Sequence, residues 1–147
     1  MKARKVLVPT DFSPAGKHAL ELATSLARDG GGSLVIIHVE EPPLAYGGGE
    51  LYSGVQEPDR EELRKALAAV APTDPKVPCV HKLLVGDPAA AIIQVAESDG
   101  VDLIVMGTHG RTGLSRLLMG SVAEAVVRRA KCPVLTVKQP AAAQTGT

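Results

Sequence analysis

Aromatic residues are almost missing from this chain. Phe12, Tyr46 and Tyr52 are the only three among 147 residues, and there is no tryptophan. A sheet that stacks bases in the manner of an RNA-binding module wants more rings, and the core has to be built from Val, Leu, Ile and Ala. An excess of either charge is also missing: sixteen basic residues balance sixteen acidic ones. That balance gives no general pull toward DNA, RNA or a membrane surface. Long apolar runs are absent, and nothing approaches the ~20 residues of a membrane span. The opening MKARKVLVP has an apolar run too short for the core of a secretory signal. The two cysteines, Cys79 and Cys132, are not spaced as a metal knuckle. Together these shortages describe a cytoplasmic, soluble protein with reduced thiols and with no nucleic-acid or membrane partner.

What is present fits one α/β domain over residues 1–139 followed by a small polar tail, 140–147, expected to be disordered. A chain of this length buries roughly 68–70% of its unfolded surface and needs no staple. Five short runs rich in Val, Ile and Leu read as strands: Lys5–Val8, Leu34–Val39, Val80–Val85, Leu103–Met106 and Val134–Val137. They mostly lack strict alternation, the pattern of strands buried on both faces of a parallel sheet. Between them lie apolar stripes at helical spacing. These are Ala19, Leu22, Ala23, Leu26; Leu63, Ala66, Leu67, Val70; Ala89, Ile92, Ile93, Ala96; and Val122, Ala123, Val126, Ala130. Ser13-Pro14 and Asp87-Pro88 each set an oxygen-bearing cap before a proline at the first helical position. Gly30-Gly31-Gly32 ends the first helix and supplies left-handed backbone.

The order β-α-β-α-β-α-β-α-β predicts a doubly wound, open five-stranded parallel sheet with helices on both faces and strand order 3-2-1-4-5. One stretch breaks the rhythm. Residues 41–56, EPPLAYGGGELYSGVQ, form a loop after the second strand. It is either a tolerated surface insertion or a lid over a ligand.

In such a sheet ligands gather outside the carboxyl ends of the strands, where the winding reverses. Pro9-Thr10-Asp11, Val39-Glu40 and Met106-Gly107-Thr108-His109-Gly110 would converge there. Gly107, Gly110 and Gly113 follow the fourth strand, and Gly120-Ser121 opens the next helix. Without a Cβ, the backbone can bring its N–H groups against a bulky anion. The helix start adds unpaired N–H groups and the positive end of its dipole. Loop and helix start together predict a phosphate cradle. A P-loop is excluded because no GxxxxGK[ST] occurs. The spacing GxxGxxG after the fourth strand also does not suit a dinucleotide fingerprint.

These residues resemble the universal stress protein family. Its nucleotide-binding members carry Gly, two residues, Gly, nine residues, then Gly with Ser or Thr. Here Gly107, Gly110 and Gly120-Ser121 stand with Arg111 to Met119 between them, a complete match. The likeness extends over VLVPTDFS, GDPAAAIIQVAESDGVDLIVMG and AKCPVLTV. The resemblance implies ATP in the crevice, with ADP or AMP as alternatives and Mg or Mn carried on the phosphates. It implies that Pro9 and Thr10 wall the base site and that Asp11 bonds the ribose or adenine end. Val39 would offer backbone groups to the adenine edge, and Met106 would line the base pocket. Gly107, Gly110, Gly120, Ser121 and Val122 would hold phosphates and ribose. The resemblance also implies a homodimer through strand 133–137, whose apolar edge would otherwise be an aggregation hazard.

Each residue also has a plainer reading. Asp11 can belong to a turn, and Ser121 with Glu124 spells a capping box. Arg111 and Arg116 either reach phosphates as forks or are solvated loop charges. His109 reads as a surface histidine, His38 as structural, Met106 and Met119 as packing residues. In the order 3-2-1-4-5, Cys79 and Cys132 precede opposite edge strands about 19 Å apart, too far for a disulfide. Three functions remain: a nucleotide-binding regulatory protein that is not an enzyme, a slow ATPase using the same site, and a scaffold that binds no nucleotide. Hydrolysis needs a placed water and charge neutralisation. Asp11, His109 and Arg111 are candidates without an assembled constellation.

Overall fold

The computed structural model describes residues 3–42, 60–108 and 120–138. The elements run β1 (Lys5–Pro9), α1 (Ala15–Gly30), β2 (Ser33–Glu40), α2 (Arg60–Ala68), β3 (Cys79–Val85), α3 (Pro88–Ser98), β4 (Leu103–Gly107), α4 (Ser121–Arg129) and β5 (Val134–Val137). The five strands form one sheet in the order β3-β2-β1-β4-β5, and every registered pair is parallel. The predicted order is the observed one. The tail beyond Lys138 and the loop from 43 onward, including both tyrosines, lie outside the described residues.

Alternation along the central strands sorts side chains into two cores. Val6 and Val8, Leu34 and Ile36, and Leu103 and Val105 meet Ala19, Ala23 and Ala27 of α1 and Leu67 of α2. Leu7, Val35 and Ile37, and Ile104 and Met106 meet Ala89, Ile92, Val95 and Ala96 of α3 and Ala123 and Val126 of α4. Helices therefore cover both faces. Leu7, Leu34, Ile36, Ile37, Ile92 and Ile104 are fully enclosed. Removing each such side chain from water stabilises the fold by about 1.5–3 kcal/mol.

Burial on both faces holds for β1, β2 and β4 but not for β3 and β5. Val80 and Val85 of β3 are 53% and 50% exposed, and Leu135 of β5 is 38% exposed. The reason is position: β3 and β5 are the sheet edges, and the helices pack over the middle. The expected stripe on α2 is likewise thinner than its spacing suggests, because Leu67 is its buried residue and Ala66 faces solvent.

Helix ends also divide. Asp87 caps α3 by accepting the Ala90 amide at 2.9 Å, with Pro88 at the first position. Ser13 does not cap α1. That helix starts one residue later, its N-cap is Pro14 in αR conformation, and no side chain caps it. The amide of Gly16 turns back to the Ser13 carbonyl at 3.1 Å instead. Ser13 Oγ is left buried without a hydrogen-bond partner among the described residues.

At the other end of α1 the three glycines serve different needs. Gly31 holds the left-handed conformation, φ 67°. Gly32 has an ordinary φ, but a Cβ there would drive into the carbonyl of Arg4. Cys79 and Cys132 are free thiols; burial pushes both above the ordinary thiol value. Among the described residues no helix is long and apolar enough to cross a membrane.

Candidate functional site

β1 and β4 are registered only through Val6 with Leu103 and Leu7 with Ile104. Past those pairs the two strands run on with no registered pairs between them, each still paired on its other side to β2 or β5, and here the sheet changes its winding direction. The walls of this opening are the chain that leaves β1 and the chain that leaves β4.

The first wall is a tight turn. Pro9 closes β1 opposite Ile37, and the Thr10 amide donates to the Ile37 carbonyl at 2.8 Å. Thr10 Oγ1 accepts the Phe12 amide at 3.0 Å, and Asp11 Oδ1 accepts the Ser13 amide at 3.0 Å. Local side-chain acceptors of this kind fold the backbone back on itself. One oxygen of Asp11 thus serves the turn. Phe12 is left-handed at φ 67°, the one non-glycine residue with positive φ among those described. Its ring lies 4.5 Å from the His38 ring. His38 Nδ1 stands 2.8 Å from the Thr10 carbonyl oxygen. A carbonyl can only accept, so Nδ1 carries the proton.

The turn has a consequence for β2. In a parallel strand alternate residues direct both backbone polar groups to the same neighbour. Ser33 bonds toward β1, by its amide to the Arg4 carbonyl, and Leu34 bonds toward β3, by its amide to the Pro78 carbonyl. Ile37 and Val39 therefore face the β1 side. The ladder's last bond there is from Thr10 N–H to Ile37. The next would run from the Val39 amide to the Thr10 carbonyl, which His38 occupies. Among the described residues, the N–H and C=O of Val39 have no backbone partner on that side. They form an adjacent donor and acceptor facing the opening.

The second wall is built at the end of β4. Met106 is buried in the α3–α4 core, and Gly107 is opposite Val137. The Thr108 amide donates to the Val137 carbonyl at 3.1 Å, and the Gly120 amide donates to the Thr108 carbonyl at 2.7 Å. The chain leaves at Thr108 and returns to the same point at Gly120. Gly110, Gly113, Arg111, Arg116, His109 and Met119 lie outside the described residues.

The predicted capping box at Ser121 and Glu124 is not formed. Gly120 is the N-cap, with extended backbone, and no side chain caps α4. Ser121 is already the first helical residue, one position too late to cap, and Glu124 is engaged by Arg128 one turn on. Ser121 is exposed and Val122 half-buried. Among the described residues, the first turn of α4 thus presents amide N–H groups without a side-chain acceptor, at the positive end of the helix dipole.

The arrangement offers a donor–acceptor edge on one side and an anion-favouring helix start on the other. That suits a ligand with a heteroaromatic edge and an acidic group. No cluster of three or more His, Cys, Asp or Glu able to hold a metal occurs among the described residues. A hollow of about 400 Å3 does lie between the ends of α3 and α4, lined by Ile93, Val101, Ala130 and Cys132. It is at the amino ends of the strands, far from both walls.

Of the residues singled out in the sequence, Pro9, Thr10, Asp11 and Val39 fall together at the ends of β1 and β2. Met106, Gly107, Gly120, Ser121 and Val122 fall together where β4 meets α4. Sequence reasoning passed over Phe12 and the hydrogen bond of His38. The available signal was a histidine alternating with Leu34 and Ile36 on a buried face, where a polar ring needs a partner.

Fold and geometry define a doubly wound α/β protein with a candidate ligand site at its topological switch point. A profile of the universal stress protein family matches residues 2–138, and the chain belongs to that family. It is 38% identical over 142 residues to universal stress protein MJ0531 of Methanocaldococcus jannaschii, covering 93% of this chain and 83% of that one. It is 36% identical to universal stress protein A homolog 1 of Coxiella burnetii, covering 93% and 97%. Among solved structures, MJ0577 of Methanocaldococcus jannaschii superposes with a TM-score of 0.72 at 28% identity, covering 95% of this chain and 99% of that one. A universal stress protein in complex with cAMP superposes with a TM-score of 0.60 at 28% identity, covering 93% and 98%.

Proposed function

We propose that this chain is a nucleotide-binding universal stress protein that takes ATP, with ADP or AMP as alternatives, in the crevice between β1 and β4. One observation carries the proposal. The two ends of the Gly107–Gly110–Gly120-Ser121 motif are drawn together by the 2.7 Å bond from Gly120 to Thr108, which leaves the uncapped start of α4 at the mouth of the crevice. A cAMP complex in a related protein supports an adenine nucleotide.

The residues present fit such a ligand. Val39 meets the adenine edge with its N–H and C=O, Pro9 and Thr10 flank the base, and Met106 backs it. Asp11 stands at this wall, where its carboxylate reaches the ribose or adenine end. Gly107, Gly110, Gly120, Ser121 and Val122 receive the phosphates through backbone N–H groups, and Arg111 adds a guanidinium. Magnesium or manganese comes with the phosphates, as the nucleotide's companion. The chain binds nucleotide as a signal rather than turning it over. Subunits pair through the exposed edge of β5, where Leu135 lies open. Changing Leu135 to Lys is expected to leave a folded monomer by light scattering; an unchanged dimer would remove β5 from the interface.

The test is calorimetric titration with ATP, with and without magnesium, of protein stripped of nucleotide and refolded. Micromolar or tighter binding at one site per chain supports the proposal. No heat from folded, empty protein overturns it and favours a scaffold. Phosphate release followed in the same samples decides between binding and slow hydrolysis.

A further inference from the structure

We infer that His38 is the positioning residue that keeps the base-reading edge of the site open, by holding the Thr10 carbonyl away from the Val39 amide. This deepens the nucleotide reading and rests on it for its functional part.

A regular ladder between β1 and β2 would continue one step further than it does. The Thr10 amide is already in register, bonded to Ile37 at 2.8 Å. One more bond, from Val39 N–H to the Thr10 carbonyl, would close the ladder and occupy the Val39 amide. Instead the Thr10 carbonyl bonds His38 Nδ1 at 2.8 Å, and among the described residues no bond to it from Val39 occurs. The displacement is held by two further features. Phe12 adopts φ 67°, a conformation a bulky residue takes only under constraint. Its ring packs on the His38 ring at 4.5 Å, which fixes the imidazole under the turn. The Phe12 amide is meanwhile taken by Thr10 Oγ1 at 3.0 Å, and this locks the backbone from the other side.

His38 thus substitutes for a backbone donor. Its Nδ1–H takes the place of the Val39 amide at the Thr10 carbonyl and frees that amide for a ligand. Both groups of Val39 then read one heteroaromatic edge that offers an acceptor beside a donor, as adenine does. Guanine presents a different order of donors and acceptors. The inferred role therefore concerns base specificity, with no contact between His38 and ligand required.

The test compares wild type with His38→Leu and His38→Asn in the full chain. Leu fills the space without a donor. Asn places its amide nitrogen where Nδ1 stood. Amide hydrogen exchange by NMR needs no nucleotide. In wild type the Val39 amide is expected to exchange much faster than that of Ile37. In His38→Leu it should become protected by about tenfold or more as it bonds the freed carbonyl; in His38→Asn it should remain fast. Nitrogen shifts of the imidazole should report the Nδ1-protonated tautomer.

In ATP titrations, His38→Leu should lose about tenfold in affinity and in preference for ATP over GTP, with binding of inorganic tripolyphosphate unchanged. His38→Asn should restore both. Equal Val39 exchange in wild type and His38→Leu overturns the inference. So does a Val39 amide as protected as Ile37 in wild type, a result that needs no variant to fold. Absence of ATP binding in wild type overturns the nucleotide reading alone, because the exchange comparison still decides what His38 does to Val39.

Discussion

Gly120 donates its amide to the carbonyl of Thr108 at 2.7 Å, so α4 begins where β4 ends. This contact determines which residue is the N-cap. It places Gly120 there and makes Ser121 the first helical residue, with its hydroxyl free of capping duty. The local S-x-x-E pattern suggests the reverse, and the tertiary contact overrides it.

Ser121→Ala separates the two roles. A capping serine is worth about 1 kcal/mol of stability. Since Ser121 does not cap, the urea midpoint is expected to stay unchanged while ATP affinity falls a few-fold. A drop in stability of cap size would return Ser121 to the cap position in solution.

The glycines at the end of α1 give a second ordering. At Gly31, φ is 67° and a Cβ meets no atom within 4 Å. Gly31→Ala bears only the left-handed penalty of about 1–2 kcal/mol. At Gly32 a Cβ enters the Arg4 carbonyl, which already accepts the Ser33 amide at 2.8 Å and cannot swing aside. Gly32→Ala is expected to cost about 3 kcal/mol or more. Equal urea midpoints for the two variants would show that the Arg4 strand is free to move.

Much of the fold was legible because it rests on local pattern. Apolar runs of strand length, stripes at helical spacing and the Asp87-Pro88 start each depend on neighbouring residues. Strand order comes from the doubly wound class that the β-α alternation points to. Edge exposure was not legible, because the apolar runs in β3 and β5 resemble those in β1 and β4. Only the place in the sheet distinguishes Val80 from Val6. Ser13 was expected to cap and does not, and the capping alternative at Ser121 fails for the same reason: a cap is defined by where its helix begins. Val39 was named through family resemblance. The reason its amide is open lies in His38 and Thr10, 28 residues apart in sequence.

Asp99 at the end of α3 gives a pH prediction. Lys82 Nζ lies 2.7 Å from Asp99 Oδ2. That hydrogen bond, with the Lys82 charge behind it, holds the carboxyl below its ordinary value of 3.8. The folded carboxylate therefore stays ionised where the unfolded one takes up a proton. Its contribution is full above the ordinary value and is lost as pH falls through the lower folded value. The pair is partly exposed, so the gain is below about 1 kcal/mol and shrinks with salt. Asp99→Asn should lower the urea midpoint at neutral pH and flatten its fall in acid. An acid limb as steep as that of wild type would show that Lys82 does not hold Asp99 in solution.

The phosphate cradle can be tested at Gly110, within the motif whose two ends meet at Thr108 and Gly120. A backbone that must approach an anion closely has no room for a branched Cβ. The two cores that hold the sheet are built mainly from β1, β2, β4 and the helices, with Val137 of β5. Gly110→Val should therefore leave the circular dichroism spectrum and thermal midpoint near those of wild type and abolish detectable ATP binding by calorimetry. Asp11→Ala is the useful partner variant, because it removes a side chain at the opposite wall. Its expected effect is a partial loss of affinity for ATP with tripolyphosphate binding unchanged, whereas Gly110→Val should lose both. If folded Gly110→Val binds ATP with normal affinity, the glycines of this loop serve the turn alone. The phosphates must then be held by the start of α4 without the loop.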